Sequence, residues 1–174
     1  MICKKCGMLQ VTYSATQYQY LESGLETIYL EGITLVTCQW CSTKKPQIPN
    51  LDLLDITIAE SIILKPIRLS GAETRFLRKH LEYSLADWAA LLRLEQETLF
   101  DLENQMEVIT PQFDLLIRLL YVRLLEERSN QIIVQNLTDV FSEIDFDTEN
   151  NLIVLINLGT PPKYYYLHSS KVSS

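Results

Sequence analysis

The sequence predicts an α+β fold: a small β-rich N-terminal module carrying four cysteines, then an all-α bundle with a C-terminal helix and a β-hairpin extension. Three observations predict it. All four cysteines fall early in the chain, as Cys3-x-x-Cys6 and Cys38-x-x-Cys41. The residues between the pairs are rich in Thr, Tyr, Val, Ile and Leu, a strand-forming composition. From Ser70 onward, apolar residues instead recur at three- and four-residue intervals behind Ser-x-x-acid starts, the punctuation of short helices.

Two residues between thiolates let both sulfurs reach one tetrahedral Zn²⁺ from a tight turn, and Gly7 after Cys6 permits the positive φ that such a knuckle requires. Two knuckles complete a shell of Cys3, Cys6, Cys38 and Cys41 around one zinc per chain. Two disulfides, a redox Cys-x-x-Cys pair and unrelated buried thiols are the alternatives; a cytosolic chain does not hold disulfides. Four protein ligands leave no open position for water, and neither His80 nor His168 is near the cysteines in sequence, so the expected metal is structural. Within the module, Leu9 to Glu22 and Glu26 to Thr37 read as a β-hairpin turning at Glu22-Ser23-Gly24. A module spanning residues 1–45 needs the metal, because burial in so small a core barely exceeds the entropy of ordering. Tyr13, Tyr18, Tyr20 and Tyr29 form either an aromatic contact face or ordinary cross-strand packing.

Lys44-Lys45-Pro46-Gln47-Ile48-Pro49-Asn50 carries two prolines and no periodicity, so it reads as a linker opening the 46–66 segment. A helix follows over 51–64, with Leu51, Leu54, Ile58 and Ile62 on one side and Pro66 beyond its end. Ser70-Gly-Ala-Glu73 is a capping box that starts a helix running to about Tyr83, with Phe76, Leu77 and Leu81 inward. Ser84-Leu-Ala-Asp87 starts the next, whose buried stripe is Leu85, Trp88, Ala89, Leu91 and Leu92. A third helix runs from Glu95 to about Leu102 with Leu99 and Leu102 inward, and a fourth opens at Thr110-Pro111, Thr capping and Pro in the first helical position. These four make a bundle over 67–128.

The stretch from Phe113 to Leu125 is apolar nearly all round, interrupted by Arg118 and Arg123. Such a helix must bury against two surfaces. One arrangement is a homodimer seam through Leu116, Leu119, Leu120 and Leu124; the other is a central helix covered by the C-terminal segment. In the 129–174 extension, Ile132, Ile133, Asn136, Leu137, Val140 and Phe141 fit a further amphipathic helix. Ile144-Asp-Phe146 and Leu152-Ile-Val-Leu-Ile156 read as a hairpin about Asp147–Asn151, Pro161-Pro162 as a stop, and Tyr164-Tyr-Tyr166 as an extended end. The apolar strand 152–156 must pair within the protomer, across a dimer or with a partner, since left open it would aggregate.

Fifteen Lys plus Arg against twenty-two Asp plus Glu give a net charge of −7, which opposes non-specific attraction to phosphate and to anionic lipid. No apolar run approaches the roughly 18 residues of a membrane span. The N-terminal Met-Ile-Cys-Lys-Lys is not a secretory signal, so a cytoplasmic location is expected. A phosphate-cradling Gly-rich loop and a plausible Ser/His/Asp set are both missing from the sequence, and no enzymatic activity is expected.

The residues from Ser70 to His80, Ser84 to Leu92 and Glu103-Asn104, preceded by two Cys-x-x-Cys pairs about thirty residues apart with Tyr29-Leu-Glu-Gly-Ile33 before the second, resemble the MqsA antitoxin family of YgiT-type zinc finger and Xre-type helix-turn-helix proteins. The resemblance covers roughly 1–126 in the family's domain order. It implies a zinc-containing transcriptional regulator of a toxin-antitoxin system: a helix-turn-helix bundle that dimerises and binds an operator, and a zinc module that engages a partner toxin, typically an RNase. It places DNA contact on Glu95, Gln96, Glu97, Thr98, Phe100, Asp101, Gln105 and Met106, with Arg75, Arg78 and Lys79 available for phosphate. Here the sequence departs from the family, which usually has Ser, Asn, Gln, Arg or Lys at the recognition positions. Glu95, Glu97, Asp101, Glu103 and Glu107 stand in a stretch with no Lys or Arg, and carboxylates are repelled by the phosphate walls of the major groove. Glu103 is expected to support the bundle internally, the others to be exposed. The expected function is therefore an antitoxin-like regulator in which direct operator binding is weakened, or an adaptor whose helix-turn-helix now binds protein.

Overall fold

The computed structural model describes residues 2–129, 137–148 and 151–169, and residues 10–16 by backbone alone. The architecture is α+β. In chain order it comprises β1 (Gln10–Gln19), β2 (Ile28–Cys38), β3 (Lys44–Gln47), α1 (Leu51–Ile63), α2 (Gly71–His80), α3 (Leu85–Leu92), α4 (Gln96–Glu103), α5 (Pro111–Ser129), α6 (Leu137–Ser142), β4 (Leu152–Asn157) and β5 (Lys163–His168). Two compact units result, one of Met1–Glu22, Glu26–Ile58 and Leu152–Ser174, the other of Ser23–Leu25 and Ala59–Asn151. Among the described residues no helix is long and apolar enough to cross a membrane.

The first unit is built on β2. β1 pairs with it antiparallel in the expected hairpin, from Gln10 opposite Cys38 to Gln19 opposite Tyr29. On its other side β2 is shared: its first half pairs parallel with β4, Ile28 opposite Val154, and its second half antiparallel with β3, Val36 opposite Lys45. Ile28 and Leu30 are buried before Gly32, and Ile33 and Leu35 after it. The buried set thus changes parity at Gly32, where φ is +64°, and changes back at Val36 and Cys38, which are buried too.

Two expectations are corrected by this sheet. Lys44–Gln47 is an edge strand rather than part of a linker; an edge tolerates Pro46 because it lacks only an outward or ladder-ending N–H. The C-terminal hairpin is β4 with β5, Leu152 opposite His168, and its turn contains Pro161-Pro162. Asp145 instead forms an isolated parallel bridge with Ile67, and Tyr164–Tyr166 belong to β5. The apolar run of β4 suits an interior strand flanked on both sides, and residues Leu152 to Ile156 are all buried. Its hydrogen-bonding edges are satisfied within the protomer.

The second unit is held by capped helices and buried charge. Ser70 accepts from the Glu73 N–H while Glu73 accepts from the Ser70 N–H, the predicted capping box. Ser84 caps α3 through the Asp87 N–H at 3.1 Å. Leu77, Leu81, Trp88, Ala89, Leu92, Leu99 and Leu102 are buried, as expected, whereas Leu91 is exposed and Phe76 and Leu85 only half-buried. Expected helix residues Ile132, Ile133 and Asn136 and the side chain of Tyr13 lie outside the described residues.

Arg118, read from sequence as an interruption of an apolar face, is fully buried. Its guanidinium donates to Asp114 Oδ1 at 2.6 Å, to the carbonyls of Ile63 at 2.6 Å, Lys65 at 2.9 Å and Ile67 at 2.7 Å, and more weakly to that of Ile62 at 3.3 Å. It therefore satisfies orphan carbonyls at the C-terminal end of α1 and in the turn beyond. Lys65 and Glu73, also buried, form a second ion pair nearby. Two cations and two anions balance, as buried charge requires.

Candidate metal centre

The four cysteine sulfurs all lie within 4.8 Å of one another. Cys3 Sγ is 3.6 Å from Cys41 Sγ, and Cys6 Sγ is 3.3 Å from Cys38 Sγ. These separations exceed a disulfide bond, about 2.05 Å, and all four cysteines are free thiols. A tetrahedral ion with metal–sulfur bonds of about 2.3 Å sets sulfurs roughly 3.8 Å apart, so the donor set fits one four-coordinate ion. An S₄ tetrahedron of this kind suits zinc or iron.

The two halves of the site share one backbone plan. In the first, Cys3 N–H donates to Met8 O at 2.8 Å and Gly7 N–H to Cys3 O at 2.8 Å. In the second, Cys38 N–H donates to Thr43 O at 3.0 Å and Ser42 N–H to Cys38 O at 2.9 Å. Gly7 and Ser42, each following the second cysteine of its pair, both have positive φ, 74° and 56°. The glycine was legible in the sequence. Its counterpart was not, because serine gives no such signal. The bridge of Ile2 with Leu9 anchors the first knuckle ahead of β1, and the second joins β2 to β3.

Local groups favour thiolates unevenly. Backbone N–H groups of Cys41 and Trp40 hold the Cys38 thiol below its ordinary value, against its burial. The Thr43 hydroxyl, 3.1 Å from the Cys41 sulfur, and then the Thr43 N–H bring that thiol down to about 6. At Cys6 the Met8 N–H pulls the same way, but contact with Cys38, burial, and contact with Cys41 and Cys3 together push it up to about 12. A dication at the centre would allow four neighbouring sulfurs to be anionic together.

The residues expected at a DNA surface are placed as follows. Glu95, Gln96, Glu97, Phe100, Gln105 and Met106 are exposed, and Thr98 and Asp101 half-buried, around α4. α3 and α4 are joined by the three residues Arg93 to Glu95, Arg93 at φ 57°. Arg78 is not available to phosphate: it is buried and forms a two-pronged pair with Glu103, Nε to Oε1 at 2.7 Å and the terminal nitrogen to Oε2 at 2.8 Å. Glu103 thereby takes its expected internal role. Arg75 is half-buried and donates to Asn104, and Lys79 is exposed. His80 is half-buried, and its Nδ1 is 2.6 Å from the Tyr121 hydroxyl. On α5, Leu116 and Leu119 are exposed and Leu120 and Leu124 half-buried.

One unit of this α+β chain thus carries a tetra-cysteine cluster suited to a metal ion, and the other a capped helical bundle. Against protein-family models, curated proteins and solved structures, the chain matches none.

Proposed function

We propose that the protein is an antitoxin-like regulator that holds one structural Zn²⁺ on Cys3, Cys6, Cys38 and Cys41 and acts by binding, with its helix-turn-helix scaffold no longer suited to an operator through α4. The observation that carries the reading is the combination of a closed four-sulfur site with a helix, three-residue turn and helix whose exposed face carries Glu95 and Glu97. Zinc in this role contributes folding energy and offers no site for substrate. The exposed Leu116 and Leu119, flanked by Leu120 and Leu124 at helical spacing, support a homodimer through α5. A toxin partner at the zinc module is the role carried over from the family resemblance.

The exposed acids favour the second reading, in which α4 meets a basic protein surface. One experiment tests the loss of operator docking that both readings share. Under the proposal, Glu97→Asn with Asp101→Arg raises duplex DNA affinity, because repulsion from phosphate is relieved. Tight, salt-dependent duplex binding by the unaltered protein that is lost on altering Gln96 or Thr98 would refute loss of operator docking. Leu119→Glu should convert a dimer to monomer in solution scattering; a parent protein that is monomeric at high concentration excludes the α5 seam.

A further inference from the structure

We propose that the groove beside the four-cysteine site binds single-stranded nucleic acid, with Lys4, Lys5 and Lys45 on the phosphates and Trp40 stacking a base. The groove has a volume of about 740 Å³ and is lined by the three lysines with Ile2, Cys3, Val36, Thr43 and Gln47. Among the described residues no acid lines it, although the chain as a whole carries −7. Lys4 and Lys5 project from the first knuckle and Lys45 from the edge strand β3, so separate segments converge on one basic surface. Trp40 stands outside the groove lining, in the second knuckle next to Cys41, whose sulfur is 3.6 Å from that of the groove residue Cys3; the residue is 75 % exposed.

Two simpler explanations fall short. A zinc tetrathiolate carries a net charge of about −2, four thiolates against one dication, so some nearby positive charge is expected; three groove lysines, with Lys44 on the same strand, exceed it. Lysine on an edge strand also discourages aggregation, which accounts for Lys45 but not for its lining one groove with Lys4 and Lys5. An acidic peptide adding to the β3 edge would find only four residues, one of them Pro46 without an N–H. A basic groove, with an open aromatic residue on the neighbouring knuckle, suits instead the sequence-tolerant recognition of a single strand, phosphates held by charge and bases by stacking. The inference stands apart from the antitoxin reading, and needs only that the metal-bound unit be folded.

The test titrates the full-length, metal-loaded protein with an oligo-dT of about 12 nucleotides in about 50 mM salt. Trp88 is fully buried, so Trp40 supplies the solvent-sensitive fluorescence. The expected result is quenching of Trp40, with a slope of log affinity against log salt of about −2 for three phosphate contacts to a single strand. Replacing Lys4, Lys5 and Lys45 together by Gln should flatten that slope and weaken binding about tenfold or more, while Trp40→Ala, at unchanged metal content, should weaken it about tenfold. Changing Arg75, Lys79 and Arg93 to Gln should leave it unaltered. Absent binding by protein of normal metal content, or full affinity in the triple lysine variant, overturns the proposal without touching the metal centre. Equal competition by polyglutamate of the same length would also overturn it, in favour of an acidic protein partner.

Discussion

Replacing Arg118 by Met tests how the helical unit is held together. The change keeps most of the side-chain volume but removes a guanidinium that donates to Asp114 and to the carbonyls of Ile63, Lys65 and Ile67 at 2.6 to 2.9 Å. Breaking one partner of a buried pair costs about 3–5 kcal/mol, and stranding the carbonyls adds to it. The sum, upwards of about 5 kcal/mol, is comparable to the whole stability of many domains, about 5–15 kcal/mol. Urea unfolding followed by the buried Trp88 reads this unit. Arg118→Lys keeps the charge with fewer donors and should lose about half as much. Adding Asp114→Asn to Arg118→Met removes the stranded anion and should recover about 2 kcal/mol. A loss under about 1 kcal/mol for Arg118→Met would refute the reasoning, since exposed positions behave that way.

Three other outcomes are expected. Ser42→Gly should stabilise the second knuckle by up to about 1 kcal/mol, because only glycine adopts its positive φ without cost, and Gly7→Ala should destabilise the first by about 1–2 kcal/mol; metal-release midpoints in chelator titrations measure both. Burial lowers the Lys65 ammonium below its ordinary value of 10.5, against the pull of Glu73. The unfolded chain then binds more protons than the folded one as pH climbs from the depressed value towards 10.5, so this group's contribution to stability rises with pH there; denaturation midpoints in that window should show a shallower slope for Lys65→Met than for the parent. Asn50→Ala should cost α1 about 1 kcal/mol in thermal or urea unfolding, because the Asn50 side chain accepts the Leu53 N–H at 3.0 Å.

Much of the site was written locally. The spacing of Cys3, Cys6, Cys38 and Cys41 and the glycine after Cys6 specify two turns of one design, and Ser70 with Glu73 and Ser84 with Asp87 specify two helix starts. Features set by distant partners were not legible. In sequence, Leu152 to Ile156 pair most simply with residues just upstream, because turn-forming residues precede them, yet the strand pairs with β2 more than a hundred residues earlier and with β5 beyond two prolines. Lys44 to Gln47 has the composition of a linker and becomes a strand only because β2 offers a free edge. Arg118 and Arg78 look like surface residues in any local window; buried carboxylates and carbonyls, brought near by the fold, turn them inward. Ser42 carries a left-handed conformation that its side chain does not advertise.

The metal content of freshly purified, reduced protein tests the account most directly. One zinc per chain is expected by mass spectrometry, with loss of the β-sheet signal in circular dichroism when a strong chelator removes it. Protein that contains no tightly held metal and keeps its sheet intact under the same reducing conditions would contradict it.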